Sequence, residues 1–127
     1  MKPSSRVPIL IIAMLLLASC GKQHQAENLV EDFVEAYAQR EIDIRSFSDL
    51  DSTRVIADSV ILALRRNADR DPLFGKALLA PFEQHSEQGS YHTFLFIRMR
   101  YQEPGDTVEA SRTFYLDNGL KGIVAFK

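Results

Sequence analysis

The chain has 127 residues, with 15 lysine and arginine residues against 17 aspartate and glutamate residues, for a formal net charge of −2. This length suits one domain with a single modest core. The slight acidic excess excludes the basic surface that marks most nucleic-acid-binding domains. A single cysteine excludes an intrachain disulfide, so packing alone must stabilise the domain.

The N-terminus has the three parts of a secretory signal. Lys2 and Arg6 give it a positive start, an almost wholly apolar run follows over residues 7–17, and small residues surround Cys20. The apolar run is much shorter than the roughly 20 residues that a membrane-spanning helix needs. A permanent transmembrane anchor is therefore the weaker interpretation.

The segment Leu17-Ala18-Ser19-Cys20 resembles the lipobox of bacterial lipoproteins. The resemblance implies cleavage before Cys20 and a covalent lipid of several acyl chains on that cysteine, which is enough for stable membrane attachment. Ordinary cleavage without lipid stays open, although a free thiol is unusual in an exported protein. Gly21 replaces the aspartate that retains some of these proteins at the inner membrane, which favours the outer membrane of a Gram-negative bacterium.

Cleavage before Cys20 would divide the chain into a signal peptide of residues 1–19, a polar tether of residues 20–25 and one α+β domain of residues 26–127. Loss of Lys2 and Arg6 leaves 13 basic residues against 17 acidic ones, a formal charge of −4. We expect a domain of this charge neither to bind nucleic acid nor to lie on anionic lipid through a broadly basic surface.

The front half of the domain predicts two or three helices. The first is predicted to end near residues 40–43, from apolar residues spaced three and four apart: Ala26, Leu29, Val30, Phe33, Val34 and Tyr37. The second is predicted to begin at Asp51 or Ser52, either of which can cap a helix, and its apolar stripe is Val55, Ile56, Val60, Ala63 and Leu64. Asp71-Pro72 predicts a cap before a short third helix over residues 73–79.

The back half predicts a three-stranded antiparallel meander over residues 91–101, 107–116 and 120–126. A turn is predicted at residues 103–106. Asn118-Gly119 predicts a type I′ hairpin that pairs Phe114 with Ile123 and Tyr115 with Gly122. One face of this sheet is expected to pack on the helices: Leu95, Ile97, Met99, Val108, Ala110, Phe114, Leu116 and Ile123.

The opposite face of the sheet is the candidate binding face: Phe94, Phe96, Arg98, Arg100, Tyr115, Val124 and Phe126. A sheet face in water rarely carries so large an apolar cluster. The sequence leaves three alternatives for what covers this face: residues 73–82, a second copy of the chain in a dimer, or the curved sheet itself. The same residues also fit a core that is buried on both sides of the sheet. Arg98 and Arg100 suit an anionic ligand, but an ion pair between Arg100 and Glu109 is the simpler use.

The layout of helices followed by a meander resembles cystatin-like and nuclear-transport-factor-two-like α+β folds. Residues 49–54, 113–117 and 123–127 resemble small bacterial lipoproteins of unknown function. The chain is short for the full nuclear-transport-factor-like cone. The resemblance therefore implies a truncated form with a shallow groove rather than a deep enzyme pocket.

Catalytic and metal-binding patterns are weak. No serine lies in a Gly-x-Ser-x-Gly elbow. Glu83, His85 and Glu87 could gather around a metal, but zinc sites usually show two or more histidines or cysteines at short spacing. We therefore expect no catalytic residue, no metal and no cofactor beyond the lipid on Cys20.

The sequence favours a membrane-anchored, non-enzymatic binding or accessory module whose partner is an envelope protein or a small ligand. The alternative is a small enzyme or small-ligand carrier with a nuclear-transport-factor-like cavity. An enclosed cavity lined by His92, Arg98 or a carboxylate of raised pKa would favour that alternative.

Overall fold

The computed structural model describes residues 6–82 and 91–127, with side chains described for residues 21–82 and 93–127. The fold is α+β, with two helices in the described residues. In chain order the elements are α1 (Arg6–Tyr37), β1 (Asp43–Phe47), β2 (Asp51–Ser52), β3 (Ile56–Ala57), α2 (Asp58–Ala68), β4 (Tyr91–His92), β5 (Leu95–Gln102), β6 (Ala110–Leu116) and β7 (Ile123–Phe126).

The main sheet is open, antiparallel and five-stranded. Its order is β1-β5-β6-β7, and β2 pairs with β5 on the same edge as β1. The predicted meander is present as β5, β6 and β7, but β1 and β2 extend it. A separate two-stranded sheet joins β3 to β4. Thr53, which lies between β2 and β3 in the chain, is also bonded next to β5, since its backbone N–H donates a hydrogen bond of 2.7 Å to the carbonyl oxygen of Phe94.

Helix α1 packs on one face of the main sheet, as its apolar spacing predicts. Ala26, Val30, Phe33 and Val34 are buried, and the helix ends at Tyr37, earlier than predicted. Phe33 lies within 5.9 Å, between ring centroids, of Phe74, Phe114 and Phe126. Edge-to-face and tilted contacts of this kind are favourable beyond the apolar area they bury.

Helix α2 packs on the opposite face of the sheet, and its predicted start is wrong. Asp51 and Ser52 lie in β2, and Asp58 begins the helix, where a carboxylate suits the helix dipole. The predicted stripe is correct only in part, since Ile56 and Leu64 pack against the buried residues of this face. Val60 is 49% exposed, whereas Ile61 is fully buried. Residues 51–57 pair in extended conformation with residues 91–96. They therefore cannot form the first helical turn that the two cap residues predicted.

The predicted third helix is a hydrogen-bonded turn over residues 72–76. Asp71 caps it as expected, because its Oδ2 accepts hydrogen bonds from the backbone N–H of Leu73 and Phe74. A Cβ on Gly75 would lie 2.7 Å from the carbonyl oxygen of Asp71. The tight turn thus requires glycine at a position where a helix would favour another residue.

The hairpin between β6 and β7 differs from the predicted type I′ turn. Asp117 organises a longer loop, since its Oδ1 accepts from the backbone N–H of Lys121 and Gly122. Leu120, rather than the Asn-Gly pair, takes the left-handed conformation, with φ of 53°. Phe114 therefore pairs with Phe126, and Leu116 pairs with Ile123.

A bulge in β7 moves Phe126 to the face that packs on α1. Leu116 pairs with Ile123 and Tyr115 pairs with Ala125, so Val124 is the extra residue. One extra residue reverses the alternation of side chains beyond it. Phe126 consequently joins the core with Phe33 instead of the candidate binding face.

Two other residues assigned to the helix-packed face are not buried there. Val108 is 69% exposed and precedes β6. Ala110, the first residue of β6, is also exposed. The predicted strand began too early because residues 103–109 form the connection after β5, with a turn in which Gly105 has φ of 85°.

The side chain of Arg65 links α2 to the sheet. Its guanidinium donates hydrogen bonds of 2.6 Å to the carbonyl oxygen of Ala80 and 2.7 Å to that of Val124. Burial lowers the pKa of Arg65 from its ordinary value. Arg65 therefore holds α2, β7 and the segment around Ala80 together.

We predict that Arg65→Gln destabilises the protein, whereas Arg66→Gln on the same helix leaves its stability nearly unchanged. Arg65→Gln removes two charge-assisted hydrogen bonds to half-buried carbonyl groups, a loss of roughly 2 kcal/mol in the free energy of unfolding. Arg66 is exposed. Urea unfolding followed by circular dichroism measures both. Equal stability of the two variants would contradict the linking role of Arg65.

Candidate functional site

The candidate binding face divides into a covered part and an open part. Phe94, Phe96, Tyr115 and Val124 belong to a second core with Ile61 of α2. Arg98 and Arg100 are exposed further along β5. The apolar members of the face are thus core residues, and only its arginines are accessible to a ligand.

The cover over the apolar part comes from α2 and the segment before residue 83. Leu64, Ala80 and Phe82 pack against the second core, and the rings of Phe82 and Phe94 lie 6.1 Å apart. One of the covers left open by the sequence, residues 73–82, therefore contributes, and α2 contributes more. The core is buried on both sides of the sheet.

The open part of the face forms a groove at the edge of the sheet, which we call the arginine groove. It has a volume of about 300 Å³ and is lined by Ser46, Phe47, Ser48, Arg98 and Arg100. In the sheet, Arg98 lies opposite Thr113, and Arg100 lies between Ser46 and Ser111. Residues with hydroxyl groups thus lie beside both arginines in the neighbouring strands.

Backbone and side-chain contacts fix the wall of the arginine groove. The backbone N–H of Ser48 donates to the carbonyl oxygen of Arg98 over 2.8 Å, and the Oγ of Ser48 accepts from the backbone N–H of Arg98 over 2.8 Å. The Nε of Arg98 lies 3.4 Å from the Oγ1 of Thr113. These contacts leave most donors of Arg98 and Arg100 directed to no described partner.

The ion pair predicted between Arg100 and Glu109 does not form. Glu109 precedes β6, and Arg100 lies opposite Ser111. The ion pairs between described residues join Arg40 to Glu103 and Arg112 to Asp71. Among the described residues, no carboxylate comes within 4.0 Å of the guanidinium nitrogens of Arg98 or Arg100.

A second feature joins the arginine groove to the start of the domain. The side-chain amide of Gln23 donates to the carbonyl oxygen of Ser48 over 3.0 Å and accepts from the backbone N–H of Leu50 over 2.6 Å. Gln23 also lies 3.1 Å from Glu27. Residues 21–25, expected to be a polar tether, are part of α1. No spacing in the sequence indicates this contact, because Gln23 is separated from its two partners by 25 and 27 positions in the chain.

An apolar groove lies beside α1 on the other side of the molecule. It has a volume of about 390 Å³ and includes Leu29, Phe33, Tyr37 and Leu79 in its lining. Leu78 in its rim is 78% exposed. The groove opens onto solvent, and Asp32 and Lys121 are the charged residues in its mostly apolar lining.

The ion pair of Asp71 and Arg112 has a structural role. Arg112 also donates to the hydroxyl of Tyr101 over 3.3 Å and lies 5.8 Å from the ring centre of Phe74. Burial by itself raises the pKa of Asp71, but hydrogen bonds from Arg112, Phe74 and Leu73 outweigh it, so the pKa is lowered. Burial lowers the pKa of Arg112, and its bonds to Asp71 and Tyr101 reverse this. A carboxyl of lowered pKa is a poor general acid near neutral pH.

The remaining chemical candidates are dispersed or lie outside the described residues. His24 is exposed on α1. Glu83, His85, Glu87 and the side chains of His92 and Cys20 lie outside the described part. Within that part, no three histidine, cysteine, aspartate or glutamate side chains are placed to share a metal ion.

Comparison with known proteins adds no relative. The chain matches no family model, no curated protein and no solved structure. Within residues whose structure is described, no helix has both the length and the apolar character needed to cross a membrane.

We predict that Asp71→Asn lowers the free energy of unfolding at pH 7 by roughly 2 kcal/mol, between the values typical of exposed and fully buried ion pairs. The pKa of Asp71 in the folded protein lies below its ordinary value of 3.8. The ionised carboxylate therefore stabilises the fold at pH values above 3.8, and this stabilisation is lost as the pH falls through the folded pKa. The difference between wild type and variant should therefore shrink below about pH 3.9. Urea unfolding from pH 7 to pH 3 measures it.

Asp69→Asn is the matched control, because Asp69 is exposed two residues away. We expect it to be as stable as the wild type at each pH. A difference for Asp71→Asn that stays constant down to pH 3 would exclude the ion pair as its cause.

We predict that Gln23→Ala speeds hydrogen exchange of the Leu50 amide, whereas Gln25→Ala does not. Gln23→Ala removes the acceptor of that amide, and a hydrogen bond of ordinary net strength corresponds to roughly tenfold in exchange. Gln25 is exposed on the same helix. Exchange measured by mass spectrometry on the detergent-solubilised protein tests this, and unchanged protection in Gln23→Ala would contradict the contact.

Proposed function

We propose that this chain is an envelope lipoprotein whose domain is held at the outer membrane by lipid on Cys20 and acts as a non-enzymatic binding module. The sequence Leu17-Ala18-Ser19-Cys20 supports the anchor. The arginine groove carries the binding role. It presents two exposed guanidinium groups that no described carboxylate neutralises.

The composition of the groove favours binding over catalysis. The guanidinium groups of Arg98 and Arg100 can donate hydrogen bonds but cannot accept them, which suits them to hold an anion. Serine hydroxyls and the ring of Phe47 complete the lining. Nucleophilic use of a serine needs an adjacent base within hydrogen-bonding reach, and the groove's described lining contains no histidine or carboxylate. Such a site selects and holds an anionic group without transforming it.

We further propose that the domain is a cystatin-like variant. The packing of α1 across one face of an antiparallel sheet supports this assignment. Helix α2 on the opposite face is an addition to that layout.

We predict that the protein recovered from membranes lacks residues 1–19 and carries acyl chains on Cys20. The mass of the intact protein from the membrane fraction of its bacterial host measures both changes. Cys20→Ala should retain the signal peptide and gain no lipid, because it removes the sulfur that carries the lipid. Ser19→Ala is the control, because it keeps a small residue before the cysteine, and it should be processed like the wild type.

Two results would overturn the anchor. One is a cleaved chain with the mass of an unmodified cysteine, and the other is an uncleaved wild-type chain in the membrane.

The binding role is tested by co-purification from detergent-solubilised membranes with wild type and with an Arg98→Gln, Arg100→Gln variant. A module predicts a component that the wild type retains and the variant loses, and identical recoveries would contradict it.

A further inference from the structure

The first helix is fixed to the domain close to the residue proposed to carry the lipid. Helix α1 rises about 1.5 Å per residue, so Gln23 lies about 4.5 Å along the axis from Cys20. Gln23 is bonded to Ser48 and Leu50 on the edge of the sheet. The loop over residues 48–50 therefore lies within one helical turn of the lipid attachment point, measured along the helix.

The same loop forms the wall of the arginine groove. Ser48 receives the hydrogen bond from Gln23 through its carbonyl oxygen and is bonded to the backbone of Arg98 through its N–H and its Oγ. One hydrogen bond from Gln23 to Ser48 and two between Ser48 and Arg98 thus connect α1 to the wall of the arginine groove. A lipid on Cys20 would bring this edge of the sheet close to the membrane surface.

We propose that the arginine groove docks on the membrane by binding the phosphate groups of lipid head groups through Arg98 and Arg100. The proposal rests on the lipid anchor proposed above. A guanidinium group offers donors in a planar fork that matches two phosphate oxygens. Head-group phosphate is also the anion that a membrane anchor necessarily places in excess beside this edge.

Local charge, rather than net charge, explains the recognition. Asp49 and Asp51 are exposed on the same edge, and the mature chain is acidic, so no broad field attracts the domain to lipid. The acyl chains supply the attachment, and the groove sets the orientation. Because the anchor makes docking intramolecular, two phosphate contacts act at an effective concentration on the order of millimolar or more.

A probe in the groove tests the orientation. The chain has one cysteine, and lipidation would occupy its sulfur, so Ser46→Cys provides a single reactive thiol for a spin label. The lipidated protein is reconstituted in vesicles of phosphatidylethanolamine and phosphatidylglycerol. Collision with a water-soluble nickel complex then measures exposure. Ser59→Cys, exposed on α2, is the matched position, and we expect the label at residue 46 alone to be protected.

Removing the arginines tests their role. Taking roughly 1 kcal/mol for each arginine near an anionic surface, Arg98→Gln with Arg100→Gln should lower the ratio of docked to undocked molecules about 30-fold and expose the label at residue 46. Arg54→Gln with Arg66→Gln removes the same charge from exposed positions outside the groove and should leave the label protected. Circular dichroism confirms that both double variants are folded.

The outcomes separate this inference from the proposed function. A lipidated protein whose label at residue 46 is as accessible as that at residue 59 overturns the docking and leaves the anchor intact. Protection that persists without Arg98 and Arg100 overturns their role in it. A chain without lipid, by intact mass, overturns the anchor and the docking together. Protection lost only with the two groove arginines supports the proposal.

Discussion

The contact of Phe33 with three other phenylalanine rings is the constraint on which the rest of the structure depends. It joins α1 to the turn over residues 72–76 through Phe74 and to the sheet through Phe114 and Phe126. These rings come from four separate parts of the chain, so their packing fixes the helix on the sheet. The position of Gln23, about three turns earlier on the same helix, follows from it.

The second face of the sheet, opposite α1, is covered by a helix at one end and open at the other. Where β7 is present, α2 covers it, and Arg65 links the helix to the carbonyl oxygens of Ala80 and Val124. Toward β1 no described helix lies over the strands, and the residues there are arginine and serine. Burial thus removes the apolar side chains from the surface and leaves the charged ones. A mixed face in the sequence becomes a core and a polar groove in the structure.

Sequence patterns correctly predicted the helices and strands in which the regular spacing of apolar residues is uninterrupted. The stripe of α1 is buried as its spacing indicates, and β5 carries Ile97 and Met99 toward α1. The patterns failed where a bulge breaks the period. Between Ile44 and Phe47 the pairing of β1 with β5 contains an irregularity. These two residues both face the core although they are three positions apart, so the sequence lacks the alternating pattern of a regular strand. The bulge at Val124 similarly places Phe126 on the face opposite to its predicted one.

The same limit applies to the candidate site. Arg98 and Arg100 alternate along β5 and were found from the sequence, since residues two apart share a face of a strand. Their lack of a described carboxylate partner depends on where β6 begins, which the turn after β5 decides. The contact of Gln23 with the loop over residues 48–50 depends on tertiary packing alone.

That contact changes the physical meaning of a lipid on Cys20. A flexible tether would let the domain present any surface to the membrane, and two phosphate contacts would then have to overcome a large orientational freedom. A helix bonded to the domain at Gln23 would remove most of this freedom, so the proposed docking would need only a small free energy to select one orientation. In the proposed orientation, α2 and the apolar groove beside Leu78 would stay exposed.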